Sequence, residues 1–174
     1  FLREFPSSLS RADILLIKDD RGSFYYDLSK IKNGSPHITI HSYQITPDGI
    51  YSVEDGQALA LDHFQDKKTL AFCGIAKPER FFSLLNELGI NPTKTLIYPD
   101  HHLYPDSSLN QILETARREG LSAFITTEKD AVKIRQTRLS REHLSGYLKI
   151  VMKIQKDFFD SLWSKLENVR DERS

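Results

Sequence analysis

Apolar residues along this chain fall at two different periods, and the periods alternate. Residues 14–17 form a continuous apolar run behind the polar Ser10, Arg11, Ala12 and Asp13, which predicts an inner sheet strand. Residues 69–73, 95–98 and 122–126 are further short apolar runs and predict strands, with a last one over 147–154. Between them the spacing turns helical. Phe81, Phe82, Leu85 and Leu88 follow Pro78 and stop before Gly89. Leu109, Ile112, Leu113 and Ala116 share a face, with Arg117 and Arg118 in the last turn and Gly120 beyond it. Thr127 and Asp130 are spaced as a threonine cap with an acid three residues on, so another helical turn is expected over 127–134. A closing amphipathic helix carries Phe158, Phe159, Leu162, Trp163 and Leu166, an aromatic stripe expected to be core, followed by a charged, frayed tail from Arg170 to Arg173.

Regular alternation of strand and helix argues for β-α-β units. The fold class expected is α/β, a small parallel-sheet domain with flanking helices. Residues 24–57 have a different texture. Asn33-Gly34 predicts a turn, 37–45 is rich in β-branched residues, and Pro47-Asp48-Gly49 is turn chemistry before 50–53. These signals predict an extended hairpin, too poor in apolar residues to be a core of its own and better suited to a two-stranded β ribbon that precedes the α/β domain.

Composition narrows the function classes. The 174 residues carry 24 Lys plus Arg and 24 Asp plus Glu, so no net field draws the chain to nucleic acid or anionic lipid. The single cysteine, Cys73, lies in an apolar run and is expected to be buried; no intrachain disulfide can form, which fits a reducing cytoplasm. No run approaches the roughly 18 apolar residues of a membrane span, and no basic-then-apolar signal opens the sequence. The chain starts at Phe1 rather than a methionine and reads as a piece of a longer polypeptide.

Candidate chemistry sits where strands hand over to helices. In an open parallel sheet, ligands bind outside the carboxyl ends of the strands. Three loops leave in that direction: Gly74, Ile75, Ala76, Lys77; then Pro99, Asp100, His101, His102; then Thr126, Thr127, Glu128, Lys129, Asp130. They converge if their strands are neighbours. An acid beside two histidines offers groups that titrate near neutral pH, or metal ligands; it also suits a turn in which Asp100 bonds local backbone. The third loop could seat an anion on free helix amides, or be a self-contained cap. The pattern glycine, four residues, glycine, lysine, hydroxyl residue that grips nucleotide phosphates is absent. His37, His41, His63 and His143 lack metal spacing and are expected to be surface or ribbon residues.

Several stretches, in order, resemble the tetraacyldisaccharide 4′-kinases of lipid A biosynthesis. They are Leu2, Arg3, Glu4 with Arg11, Ala12, Asp13; then Ala71, Phe72, Cys73, Gly74, Ile75 with Pro78, Arg80, Phe81, Phe82; then Pro99, Asp100, His101; then Thr126, Thr127, Glu128, Lys129, Asp130, Ala131, Val132, Lys133. The last stretch is the most specific. The chain departs from the family at Ala76, where a second glycine is common.

The resemblance implies transfer of the γ-phosphate of ATP, with magnesium, to the 4′ hydroxyl of a tetraacylated glucosamine disaccharide 1-phosphate. It places this chain as the carboxy-terminal part of a P-loop kinase-like protein: 1–35 the end of the nucleotide-binding core, 36–65 a two-stranded ribbon linker, 66–174 the carboxy-terminal α/β domain. ATP and magnesium would be bound mainly by the amino-terminal domain, with no cofactor-binding or metal-binding residue in this chain. His101 would be the catalytic residue, pairing with an aspartate of that domain that acts as base. Asp100 and His102 would support it, and Thr127, Glu128, Lys129 and Asp130 would line the site or fix its loop. Partners would be the acylated disaccharide lipid, ATP and, through the amino-terminal segment, a membrane surface, but not nucleic acid. The location implied is the cytoplasmic side of the inner membrane, and the isolated chain would be inactive. Two alternatives remain at the level of sequence, a metal-dependent phosphoesterase that uses the Asp100, His101, His102 triplet and a non-catalytic relic domain.

Overall fold

The structure, a computed structural model, describes residues 6–19 and 28–171. In chain order it contains a 3-10 turn Pro6–Arg11, β1 (Ile14–Lys18), α1 (Leu28–Gly34), β2 (Thr39–Ser52), β3 (Ala58–Leu59), α2 (Asp62–Gln65), β4 (Thr69–Cys73), α3 (Pro78–Glu87), β5 (Lys94–Ile97), α4 (Asp106–Glu119), β6 (Ala123–Thr127), α5 (Glu128–Ile134), α6 (Arg138–Glu142), β7 (Leu144–Ile154) and α7 (Asp157–Asp171). Two compact units result, Thr46–Val151 on its own and Phe1–Ile45 with Met152–Ser174.

The unit Thr46–Val151 holds the expected parallel sheet. β4 pairs with β5 on one side and β6 on the other, and β6 pairs with β7, all parallel. Alternation along the strands divides the core in two. Leu70, Phe72 and Phe124 face one way, onto Leu109, Ile112 and Ala116 of α4 and onto Ala131, Ile134 and Leu139. Ala71, Cys73, Ala123 and Ile125 face the other, onto Phe81 and Leu85 of α3 and onto Phe64 and Ile90. This period of two in strands buried on both faces is what the short, wholly apolar runs encode. The helices end as their sequences direct. Pro78 opens α3, and Gly120 closes α4 in the left-handed conformation, φ 66°, its N–H bonded to the Ala116 carbonyl. Cys73 is fully buried, and that burial pushes its thiol up to about 12.

The hairpin predicted to turn at Pro47-Asp48-Gly49 does not form; the antiparallel pair in this region is β2 with the two-residue β3, Ile50 opposite Leu59. Asn33 and Gly34 lie in α1, and Pro47-Asp48-Gly49 lies within β2, which continues unbroken from Thr39 to Ser52. β2 runs parallel to β1, with Ile14 opposite Thr39. The long partner of β2 in the strand order is β7, from the far end of the chain. A turn signature sets local preference only, and ladder bonds to distant strands override it. The compact units change at 45/46, within β2, and at 151/152, within β7.

In the other unit, β1 stands at the end of the described strand order and only its Ile17 is buried, so it is a half-covered strand rather than the inner one expected. The aromatic stripe of α7 is also not core. Phe159, Trp163 and Leu166 are each more than half exposed, and Phe158 meets the edge of His41 at 5.6 Å. His41, expected as a surface or ribbon residue, is buried on β2, with Asp157 Oδ1 3.5 Å from its Nδ1. It lines a cavity of about 280 Å³ with Lys32, Ile40 and Gln155. Leu2, Arg3 and Glu4 of the resemblance, Phe24 at the start of the predicted hairpin, and Glu172 and Arg173 of the charged tail lie outside the described residues. α7 itself extends through Asp171, past the Arg170 where the frayed tail was expected to begin.

Candidate functional site at the carboxyl edge of the sheet

Because β5, β4 and β6 are parallel neighbours, the three polar loops do leave from one edge. β4 hands over to α3 on one face, whereas β5 and β6 hand over to α4 and α5 on the other. The gap between β4 and β6 is therefore a topological switch point, the usual ligand crevice of such sheets.

That crevice is closed by the protein's own carboxylate. Asp130, fully buried, accepts the Gly74 backbone N–H at 2.9 Å, the Thr127 hydroxyl at 2.7 Å and the Lys133 ammonium at 2.8 Å. Thr126 adds a buried hydroxyl bond to the Phe72 carbonyl at 2.8 Å. The Thr127 cap forms as expected, its Oγ1 accepting the Asp130 N–H at 3.2 Å. The acid of the predicted box takes the cap's own hydroxyl and, on the same oxygen, the Gly74 amide that follows β4. The Gly74 amide, the Thr127 hydroxyl and the Lys133 ammonium, donors that could hold a phosphate at this loop, are thus engaged by Asp130.

Gly74 permits the second closure. A Cβ there would stand 3.0 Å from His102 Cβ, 3.1 Å from the Pro99 carbonyl oxygen and 3.3 Å from the Tyr104 hydroxyl. The close approach that a glycine allows here is between two loops of the chain. Across it the His101 N–H donates to the Gly74 carbonyl at 3.2 Å.

The two adjacent histidines end in different surroundings. The His102 ring stacks on Tyr98, centroids 4.6 Å apart at 12°, meets Tyr104 edge-on at 4.9 Å, and shares a 2.8 Å hydrogen bond with Ser108 Oγ in the first turn of α4. It is a fixed part of the loop. His101 is held in the left-handed region, φ 63°, with its side chain 78% exposed. That conformation costs a non-glycine residue about 1–2 kcal/mol, and it persists only where neighbours over-determine it. Here they do so through the Gly74 carbonyl and through Asp100, whose Oδ1 accepts the His101 N–H at 3.0 Å and the Lys129 ammonium at 3.1 Å while Oδ2 lies 3.6 Å from His101 Nε2. Lys129, with the His101 charge and N–H assisting, holds the Asp100 carboxyl below the usual carboxylate range.

The structure thus gathers Asp100, His101, Lys129 and Asp130 around one edge and sets His102 apart. Among the described residues no group of three His, Cys, Asp or Glu stands together to hold a metal, and with His102 committed to Ser108 the triplet does not form a ligand set. Glu128 is exposed at the start of α5 with no assigned contact. Sequence reasoning missed Lys133, Tyr104 and Ser108. The i,i+3 spacing of Asp130 and Lys133 signals the first. Tyr104, buried with φ 56° and its phenol pushed up by burial and the nearby Asp130 charge, leaves no sequence signature.

The sequence profile of the family described as Tetraacyldisaccharide-1-P 4′-kinase matches residues 1–167. Curated relatives described as tetraacyldisaccharide 4′-kinase include one from Desulfatibacillum aliphaticivorans, 34% identical over 95% of this chain and 46% of its own length. Others come from Gluconobacter oxydans, 33% identical over 76% of this chain and 36% of its own, and from Syntrophus aciditrophicus, 36% identical over 76% and 38%. The chain therefore spans less than half the length of these relatives. A crystal structure of the "apo" form of LpxK from Aquifex aeolicus in complex with ATP matches the fold with a TM-score of 0.62 over 92% of this chain and 44% of that chain, at 20% identity.

Proposed function

Because the chain belongs to the tetraacyldisaccharide-1-P 4′-kinase family, we propose that it serves the ATP-dependent phosphorylation of the 4′ hydroxyl of a tetraacylated glucosamine disaccharide 1-phosphate, a step of lipid A biosynthesis. In this reading the chain supplies one side of the active site, and His101 is what it presents. The observation that carries this role is the contrast at the sheet edge: Asp130 fills the crevice where this kind of sheet would bind its own ligand, while His101 is strained outward and left exposed.

In phosphoryl transfer the protein mainly positions groups and stabilises charge, and the incoming hydroxyl needs an oriented proton acceptor. As the 4′ oxygen bonds to the γ-phosphorus and the bridging oxygen leaves with ADP, the hydroxyl proton passes to a carboxylate base. His101 pairs with that base and orients it. The base, the phosphate loop, ATP and magnesium are assigned to parts of the family protein beyond these 174 residues, as is contact with the inner membrane on its cytoplasmic side. No described helix is long and apolar enough to cross a membrane.

The test is transfer of labelled γ-phosphate to the disaccharide by the complete kinase carrying this sequence, wild type against His101→Ala and His101→Gln. A fall of about 10²-fold or more in kcat is expected for alanine. Unchanged transfer would remove His101 from the reaction.

A further inference from the structure

We propose that Lys129 is a positioning residue for His101 and acts through Asp100, an inference that rests on the reading of His101 given above. The Asp100 carboxylate touches His101 at both ends, its backbone N–H through Oδ1 at 3.0 Å and its ring Nε2 near Oδ2 at 3.6 Å. One side-chain rotamer therefore bears both on the left-handed turn, whose His101 N–H it shares with the Gly74 carbonyl at 3.2 Å, and on the direction of the imidazole. With the ring 78% exposed, packing does not orient it. Among the described residues, the group from outside this turn that holds the carboxylate is Lys129, at 3.1 Å on the same Oδ1.

Lys129 is itself aimed from a fixed base. Its neighbour Asp130 is fully buried and tied to the Gly74 N–H, so the turn between β6 and α5 is anchored to the end of β4 where Lys129 leaves it. The same two loop ends thus make two clamps, Asp130 on the loop after β4 and Lys129 on the loop after β5. Lys129 and Asp100 are 45% and 39% exposed, so their ion pair adds little to overall stability. Its consequence is directional, because it ends on a non-glycine residue at φ 63° that needs external restraint. The cap does not account for this lysine, since Thr127 and Asp130 form it without Lys129.

The experiment compares Lys129→Met, which keeps most of the length and removes the charge, with Lys129→Arg. In this chain, carbon-13 NMR follows the Asp100 carboxyl. Its titration midpoint is expected to rise toward the ordinary carboxylate range in Lys129→Met and to stay low in Lys129→Arg, with the thermal midpoint near neutral pH slightly lowered in the first and unchanged in the second. In the complete kinase, Lys129→Met is expected to lower kcat about tenfold while KM for ATP changes less than about twofold, and Lys129→Arg to restore most of the rate. An unmoved Asp100 titration together with wild-type kcat in Lys129→Met overturns the proposal, and so does equal loss in the arginine and methionine variants. If the NMR changes occur but His101→Ala is fully active, the kinase reading of His101 fails and the positioning survives. If His101→Ala is inactive while Lys129→Met matches wild type in both readouts, the positioning alone fails.

Discussion

Asp130, at the start of α5, receives the backbone N–H of Gly74, at the end of β4, across 2.9 Å. Residues 56 positions apart thereby close the crevice between β4 and β6 with a carboxylate from the chain itself. In nucleotide-binding sheets this place receives a phosphate, and the backbone amide that would point to it is the kind Gly74 offers. Here that amide is satisfied by the chain's own Asp130, at the same edge that carries the loop with His101.

Removing that carboxylate should therefore cost more than an exposed ion pair. Asp130→Ala strands a buried amide and the mostly buried Lys133, for an expected loss of about 3–5 kcal/mol. Asp130→Asn keeps an acceptor for Gly74 and should lose about half as much. Urea unfolding of both variants checks the order, and an alanine variant within about 1 kcal/mol of wild type would show that the crevice relaxes without its keystone.

Gly74→Ala probes the same closure from the other side. The new Cβ would press on the Pro99 carbonyl at 3.1 Å, which is backbone and cannot rotate aside, so the loop after β5 must move. A loss of about 1–3 kcal/mol is expected, with the largest amide shifts in the NMR spectrum at His101 and His102. Shifts confined to Gly74 and its chain neighbours would contradict the tight packing of the two loops.

How much of this was legible in the sequence follows from range. Phe72 and Leu85 announce their elements because strand and helix periods are local, and the chain order of β4, α3, β5, α4 and β6 was readable from them. The Thr127 cap was readable for the same reason. The hairpin expectation failed at Asn33-Gly34 and Pro47-Asp48-Gly49 because those signals were outweighed by the pairing of β2 with β1 and its place beside β7. Trp163 reads as core from spacing, yet spacing says only that a helix is two-faced and not that the apolar face is covered. The loops' convergence was conditional on strand order, which no single sequence states. That Asp130 turns to Gly74, and that His101 and His102 part company, depends on contacts with distant loops and on aromatic packing that periodicity does not encode.

The Asp100 carboxyl gives a pH signature with a defined sign. Its native value lies below the ordinary one because of Lys129 first, then of His101. A depressed native pKa adds stability above the unfolded value, roughly 3.9, and that stability is lost as pH falls through the native value. Between about pH 6 and pH 2 the wild type should lose more stability than Asp100→Asn, and the two curves should converge once Asp100 is protonated. Parallel curves across that window would mean that the carboxylate is unpaired in solution.

The left-handed turn at His101 separates strain from chemistry. Glycine adopts φ near 63° without steric cost, whereas alanine retains the strain of histidine and removes its ring. Relief of about 1–2 kcal/mol is partly offset by the greater freedom of glycine in the unfolded chain, which leaves His101→Gly about 0.5–1 kcal/mol more stable than His101→Ala. Both variants should lose phosphate transfer in the complete kinase, since neither carries an imidazole. A glycine variant that is more stable yet inactive is the pattern expected when a strained conformation is kept for its function. If glycine is no more stable than alanine, the turn is relaxed in solution and the exposure of His101 needs another cause.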